Sequence, residues 1–354
     1  MIYCLLFVLL VFAELFYFKI ADKFNIIDKP NERSSHSSIV LRGGGVIFSL
    51  AMAAWAVMMV MQGEWGVVVE YLPFLVGLLL VAGVSFWDDV KSLPDSVRLV
   101  VQFVAMALMF CSMGIMHWNM WWIVLVASIV CVGATNVINF MDGINGITAG
   151  YALAVLVPLA LVNESTVNTV IMGTDTKRYV SGFIEQSYLI VAIIGVLVFC
   201  LFNFRPKGKA KCFAGDVGSI AIAFIMLFAI GKLVVATGDV TYLIFLLVYG
   251  VDGCLTICHR ILLHENLGEA HRKHVYQLMA NELMIGHVKV SLLYMFMQLA
   301  VSFGFIYLCQ DSVVAHWCYL IGSAVVLAVA YVLFKKKYYH LHEEYLTSIK
   351  KCSL

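Results

Sequence analysis

The sequence predicts an all-α integral membrane protein that crosses the bilayer about eleven times. Three observations predict it: an apolar composition, apolar runs of spanning length, and a one-sided distribution of Lys and Arg. Of 354 residues, 62% are hydrophobic and 13% are charged, against about 25% charged in an ordinary soluble domain. A helix needs about 20 apolar residues to cross about 30 Å of hydrocarbon. Runs of that order fall near 1–20, 44–61, 71–87, 97–115, 119–135, 147–162, 187–204, 218–237, 240–259, 288–309 and 315–334.

The connections between these runs set the orientation, because Lys and Arg accumulate on the cytoplasmic side. Most of the 23 Lys and Arg follow odd-numbered runs. Lys19, Lys23, Lys29, Arg33 and Arg42 flank the first such connection, and Lys91 and Arg98 the second. Arg205, Lys207, Lys209 and Lys211 follow the seventh run, and Arg260, Arg272, Lys273 and Lys289 the ninth. The N-terminus is therefore expected outside, the C-terminus in the cytoplasm, and the span count odd. The first run has no basic start and carries its Lys residues at the far end, so it reads as a retained span and not as a cleaved signal. The chain reads as one transmembrane domain, 1–354, with a basic cytoplasmic tail at about 335–354.

The ten cysteines contain no C-x-x-C pair, so neither a disulfide framework nor a zinc site is indicated. Cys309 and Cys318 flank one outer connection and read as two packed thiols, with a pairing between them the alternative. A net charge of +1 says nothing about partners beyond the bilayer, and no nucleic acid is expected.

Every polar cluster that suggests chemistry lies on the predicted cytoplasmic side. The first loop, Asp28 to Gly45, supplies cations at Arg33, His36 and Arg42 and ends in three glycines that permit close backbone approach. Contact with lipid headgroups would also explain it. At the end of the third run Asp88 and Asp89 are adjacent, and paired carboxylates at a membrane boundary are costly without a cation or a shared proton. They suit metal binding or proton abstraction. The stretch Asn136 to Ile147 places Asn136, Asn139, Asp142 and Asn145 at a spacing of three, which lines one helix face if the stretch is helical. Such groups can read the edge of a base or complete a metal shell. Asp216, in a Gly-Asp-Val-Gly-Ser stretch opening the eighth run, suits Mg2+ beside phosphate-binding backbone N–H groups, and equally a helix cap. Asp252, Thr256 and Arg260 share a face at a spacing of four, so Asp252 should pair with Arg260 or with a neighbouring helix. His271, Arg272 and His274 follow as donors suited to a pyrophosphate.

In this order and combination the blocks resemble the polyprenyl-phosphate N-acetylhexosamine-1-phosphate transferases. These include initiators of O-antigen, capsule and teichoic-acid synthesis and the phospho-MurNAc-pentapeptide transferase. The resemblance runs from about Asp28 to Gln277. It implies ten or eleven spans in the bacterial inner membrane and a cytoplasmic site dependent on Mg2+, with Mn2+ as a substitute. It also implies a UDP-amino-sugar donor, undecaprenyl phosphate as acceptor, and a homodimer only weakly. By this likeness Asp88, Asp89 and Asp216 are the catalytic acids, with Asp88 the candidate base. Asp216 with Asn139 would hold the metal. Asn136, Asn139, Asp142 and Asn145 would meet the nucleotide, His271, Arg272 and His274 the diphosphate, and Arg98 and Gln102 the lipid phosphate. The chain has Ile-Val-Leu-Arg-Gly-Gly-Gly where the peptidoglycan branch resembles Thr-Pro-Thr-Met-Gly-Gly, and His-Arg-Lys-His for its triple-His block. A UDP-N-acetylhexosamine, GlcNAc or a 6-deoxy derivative, is therefore the expected donor, feeding an O-antigen, capsule or cell-wall polymer. The alternatives are the peptidoglycan transferase itself and a secondary transporter. Against the latter, no internal repeat is evident, and the only charges towards the middle of runs are Glu14, Lys232 and Asp252.

Overall fold

The computed structural model describes residues 1–28, 39–116, 119, 121–164, 167–170, 177–180, 182–266, 271–309 and 312–352. Each apolar run becomes a helix because hydrocarbon offers the backbone no partner outside the helix itself. The helices are α1 (Ile2–Lys23), α2 (Val46–Met61), α3 (Trp65–Val90), α4 (Asp95–Ser112), α5 (Trp121–Phe140) and α6 (Ile147–Glu164). They continue with α7 (Gln186–Asn203), α8 (Gly215–Thr237), α9 (Leu247–Leu262), the short α10 (Val275–Asn281), α11 (His287–Leu308) and α12 (Val313–Cys352). Ten segments among the described residues are long and apolar enough to cross a membrane. α2, with 16 residues, is about 24 Å long at 1.5 Å per residue and makes the eleventh apolar element. The protein is thus a multi-pass, all-α membrane protein.

Three details differ from the sequence reading. The run near 240–259 opens as a 3₁₀ segment, Val240–Leu246, before becoming α9. The long connection after α6 contains an antiparallel ribbon, β3 (Val167–Val170) with β4 (Lys177–Val180), where only loop was expected. The basic tail is no separate segment, since α12 runs on as one helix to Cys352. Arg33 and His36 lie outside the described residues, and Cys309 and Cys318 are both free thiols.

Lipid tails are as apolar as Leu, so packing and buried polar contacts, more than hydrophobic burial, hold such a bundle together. α8 and α6 are the most enclosed spans, while α12 and α5 are the least. Around α8 an aromatic cluster joins α2, α3 and α7: Phe74 stacks on Phe228 at 4.2 Å, and Trp55 packs edge-on against Tyr188 at 5.6 Å. Trp55 Nε1 donates to Ser187 Oγ at 2.8 Å, and Tyr188 Oη donates to the Ile225 carbonyl at 3.1 Å. On the other side Tyr151 stacks on Tyr249 at 3.5 Å. Gln298 accepts from the Tyr151 hydroxyl at 2.9 Å, pinning α6 to α11.

Candidate active site

Asp88 and Asp89 occupy the last turn of α3, where successive residues diverge by about 100°. Asp89 turns inward, and its side chain is wholly closed to solvent. Its carboxylate accepts the backbone N–H groups of Asp216 at 2.9 Å and Val217 at 3.0 Å. It thereby caps the first turn of α8, whose N–H groups have no partner within the helix. Arg42 Nε lies 2.7 Å from the same carboxylate. Asp89, expected as a catalytic acid, has both oxygens committed inside the protein, an arrangement that positions Asp216. Asp88 accepts from the Leu93 N–H at 2.6 Å and lies 3.2 Å from Arg98. The Arg98 guanidinium extends to Asp216 at 3.1 Å, and Arg42 approaches the other oxygen of Asp216 at 3.8 Å. Three carboxylates and two guanidinium groups, from four separate stretches of chain, therefore form one network. Burial opposes the charge of Arg42, but Asp89, Asp216, Asp28 and Asp88 together outweigh it and raise its pKa.

Arg42 is held there by backbone. Ile27–Asp28 pairs antiparallel with Val40–Leu41 (β1 and β2), and the Leu41 carbonyl accepts the Phe213 N–H at 2.8 Å. The Gly44 N–H donates back to Phe213 at 2.8 Å, Gly45 donates to Ala214 at 3.0 Å, and Tyr17 Oη donates to the Arg42 carbonyl at 2.7 Å. The glycines permit this: a Cβ on Gly45 would lie 2.2 Å from the Gly218 Cα, and Gly43 and Gly215 have φ of +81° and +69°. Behind the loop the buried Glu14 accepts from the Cys212 thiol at 3.7 Å.

The second block divides where α5 ends, at Phe140, so its four polar residues do not share one helix face. Asn136 donates to Gln102 at 2.8 Å, which ties α5 to α4, and Asn139 accepts from Ser219 of α8 at 2.5 Å. Asp142, in the turn that follows, accepts from Thr148 at 2.5 Å. The residue is partly exposed but its carboxyl is enclosed by protein. Burial, reinforced by the charge of Asp89, lifts the carboxyl to about 6 against the hydrogen bond from Thr148. Asn145 gives its amide to the carbonyls of Arg205 at 2.9 Å and Pro206 at 3.1 Å. Both amide protons expected to meet a nucleotide hold the loop before α8.

The histidine block opens α10, where His274 and Gln277 form a reciprocal cap. Asp252 accepts the Val275 N–H at 3.1 Å and the Tyr294 hydroxyl at 2.6 Å, and lies 3.4 Å from His274 Nδ1. Asp252 thus pairs with a neighbouring helix, and Arg260 pairs with Glu265 at 3.2 Å. Arg272 is engaged by Glu282 at 3.5 Å. His271 is driven down to about 3 by burial and by His274, Arg260, Lys273 and Lys335, so its imidazole is neutral at physiological pH. Of the expected diphosphate donors, His271 therefore acts as a neutral group. The buried His274 Nε2 has no partner among the described residues. Tyr276 donates to the Phe140 carbonyl at 3.0 Å, and the His271 ring lies 6.4 Å from that of Phe140. The Asn136 to Gly146 stretch is the bridge: Asn139 meets Ser219, one turn into α8 from Asp216, and Phe140 meets the histidine block.

Sequence reasoning underrated Arg42, whose place depends on a pairing between residues 41 and 213 that no local pattern announces. The signal present was its position directly before three glycines.

Residues 71–234, a little under half of the chain, match the model of Glycosyl transferase family 4. A Bacillus subtilis (strain 168) protein named "Probable undecaprenyl-phosphate N-acetylglucosaminyl 1-phosphate transferase" is 25% identical over 73% of this chain and 70% of its own length. A phospho-N-acetylmuramoyl-pentapeptide-transferase of Desulfovibrio desulfuricans is 27% identical over 40% of this chain and 46% of its own length. Another, from Desulfotalea psychrophila, is 34% identical over 29% of this chain and 28% of its own length. The chain thus spans less than half of either of these last two.

Proposed function

We propose that this chain, which belongs to glycosyl transferase family 4, transfers an N-acetylhexosamine-1-phosphate from a UDP-sugar to undecaprenyl phosphate at the cytoplasmic face of a bacterial inner membrane. The observation that carries this is the convergence of Asp88, Asp89 and Asp216 with Arg42 and Arg98. In the reaction an oxygen of the acceptor phosphate bonds to the β-phosphorus of the donor. The bond from that phosphorus to the bridging oxygen breaks, and UMP leaves with the electron pair. Phosphoryl transfer of this kind depends mainly on positioning and charge neutralisation.

The residues present suit Mg2+. Among the described residues no three His, Cys, Asp or Glu side chains form a ready cage, but Mg2+ usually takes one or two carboxylates and leaves its remaining positions to water and substrate phosphates. Asp216 and Asp88, both reached by Arg98, with the Asn139 amide oxygen nearby through Ser219, give such an oxygen-only set. Bound there, Mg2+ would neutralise charge on the diphosphate. Arg42 and Arg98 then supply the cations for the acceptor phosphate, with Gln102 fixing Asn136 beside them. Asp142 and the neutral His271 are the groups assigned to the uracil and the diphosphate.

GlcNAc or a 6-deoxy derivative is the preferred sugar, because the first-loop and histidine blocks depart from the peptidoglycan pattern and a relative matched over 73% of this chain carries N-acetylglucosaminyl in its name. The three charges towards the middle of spans all have partners inside the protein: Glu14 accepts from the Cys212 thiol, Lys232 is paired with Glu70 at 2.6 Å, and Asp252 with His274 and Tyr294. The test is UMP release by purified protein with undecaprenyl phosphate, Mg2+ and a panel of UDP-sugars. Turnover with one donor, abolished by EDTA, is the expected result. No UMP from any donor with folded protein would overturn the reading.

A further inference from the structure

α12 is 40 residues long, about 60 Å at 1.5 Å per residue, twice the roughly 30 Å hydrocarbon thickness. Residues 335–352 account for the last 27 Å or so of this length, and this part of the helix is not bare. Tyr331, Lys335, Tyr339, His342 and Tyr345 recur at spacings of four, four, three and three, which lines them along one face. Four of the five touch the histidine block or the residues that hold it, and Tyr331 reaches it through Thr256 and Asp252.

Tyr331 shares a 2.9 Å hydrogen bond with Thr256, which donates to Asp252 at 3.2 Å. Lys335 donates to the Lys273 carbonyl. The Tyr339 ring packs edge-on against His259 at 4.8 Å, with the Lys273 ammonium 6.0 Å from its centre. His342 Nδ1 lies 3.0 Å from the Glu282 oxygen that also pairs with Arg272. The Arg272 guanidinium sits 4.5 Å above the Tyr345 ring. Arg272 is thus set between a carboxylate from the end of α10 and an aromatic ring from α12, and Lys273 is gripped at both its carbonyl and its ammonium. Salt and cation–π contacts of this kind strengthen when water is excluded, and Arg272, Lys273 and His342 are all buried.

We propose that the extended end of α12 is a positioning element of the active site: it holds residues 271–274 in the geometry that receives the donor diphosphate. The proposal rests on the transferase reading above. Tyr345 and His342 need touch no substrate; they act through Arg272 and Glu282.

The experiment compares Tyr345→Leu, Tyr345→Phe and a chain ending at residue 337 with the intact protein, by steady-state kinetics and by backbone hydrogen exchange across residues 271–281. Tyr345→Leu should raise KM for the UDP-sugar about tenfold while kcat and KM for undecaprenyl phosphate change little. Tyr345→Phe, which keeps the ring, should stay within about twofold. The shortened chain should lose more, and exchange over 271–281 should quicken in it and in Tyr345→Leu. An unchanged donor KM and unchanged exchange in both would overturn the proposal, and so would a fall in kcat alone shared equally by Tyr345→Leu and Tyr345→Phe. The exchange measurement needs no turnover, so inactivity of the intact protein would count against the transferase reading and leave the positioning role to be judged by exchange.

Discussion

Asp89, at the end of α3, accepts the backbone N–H of Asp216, at the start of α8, at 2.9 Å. One buried carboxylate therefore fixes the place of another across 127 residues of chain. Replacing Asp89 by Ala would leave two N–H groups and the Arg42 cation without their shared partner. The expected loss is about 3 kcal/mol or more. Thermal unfolding in detergent reads it directly, and a melting temperature equal to the parent's would discard the capping role.

Asp216 predicts the opposite pattern. Asp216→Asn keeps the shape and its backbone N–H to Asp89 but removes the negative charge offered to a cation. Turnover should fall by at least about a hundredfold, the scale of losing one main electrostatic contact to the reacting group, with little change in melting temperature. Normal UMP release from this variant would remove Asp216 from the metal assignment.

Backbone contact between two glycines gives a steric prediction. A Cβ on Gly45 would lie 2.2 Å from the Gly218 Cα, against backbone that has no flexible end to yield. Gly45→Ala should therefore cost about 1 to 3 kcal/mol, as overpacking does, and should displace Arg42 from Asp89. Gly63→Ala is the control for local backbone restriction, since no atom lies within 4 Å of its added Cβ. Its positive φ of +86° will itself cost something, so Gly66→Ala, equally open and without that strain, completes the comparison. Equal melting temperatures for Gly45→Ala and Gly66→Ala would refute the contact.

Asp142 carries a pH signature. Its carboxyl is raised to about 6 in the folded protein, above the ordinary value of about 3.9, so the folded state binds a proton that the unfolded state has lost. Stability should then fall as pH rises from about 4 through 6 and flatten above. The acceptor phosphate also titrates near pH 6, so melting temperature is a cleaner readout than rate. Asp142→Asn should reduce this slope between about pH 4.5 and 7. Persistence of the same slope would assign it to another group.

The spans were legible because apolar length and Lys and Arg placement are local properties. The polar blocks were legible for the same reason, as short runs of residue types that hydrocarbon tolerates poorly. The division of labour within them was not. Asp88 and Asp89 are neighbours in sequence, and only the rotation of α3 against α8 decides which becomes the buried cap. Asn145 looked like its three companions until the end of α5 separated them and the loop at Arg205 and Pro206 took its amide. The stripe on α12 was hidden because Lys335, Tyr339 and His342 read as an exposed basic tail, and the partners that bury them lie more than 50 residues away in the chain.

Asp216 is mounted on α8, which has protein around most of its apolar length, whereas the apolar stretches of α5 and α12 are the least enclosed. When the surrounding bilayer thins or thickens, tilt and mismatch are absorbed by helices in contact with lipid. α8 behaves as a central post to which that stress is not directly applied. Asp216 is in this sense mechanically insulated from the bilayer, and its place should survive a change of lipid host better than that of groups carried on the outer helices.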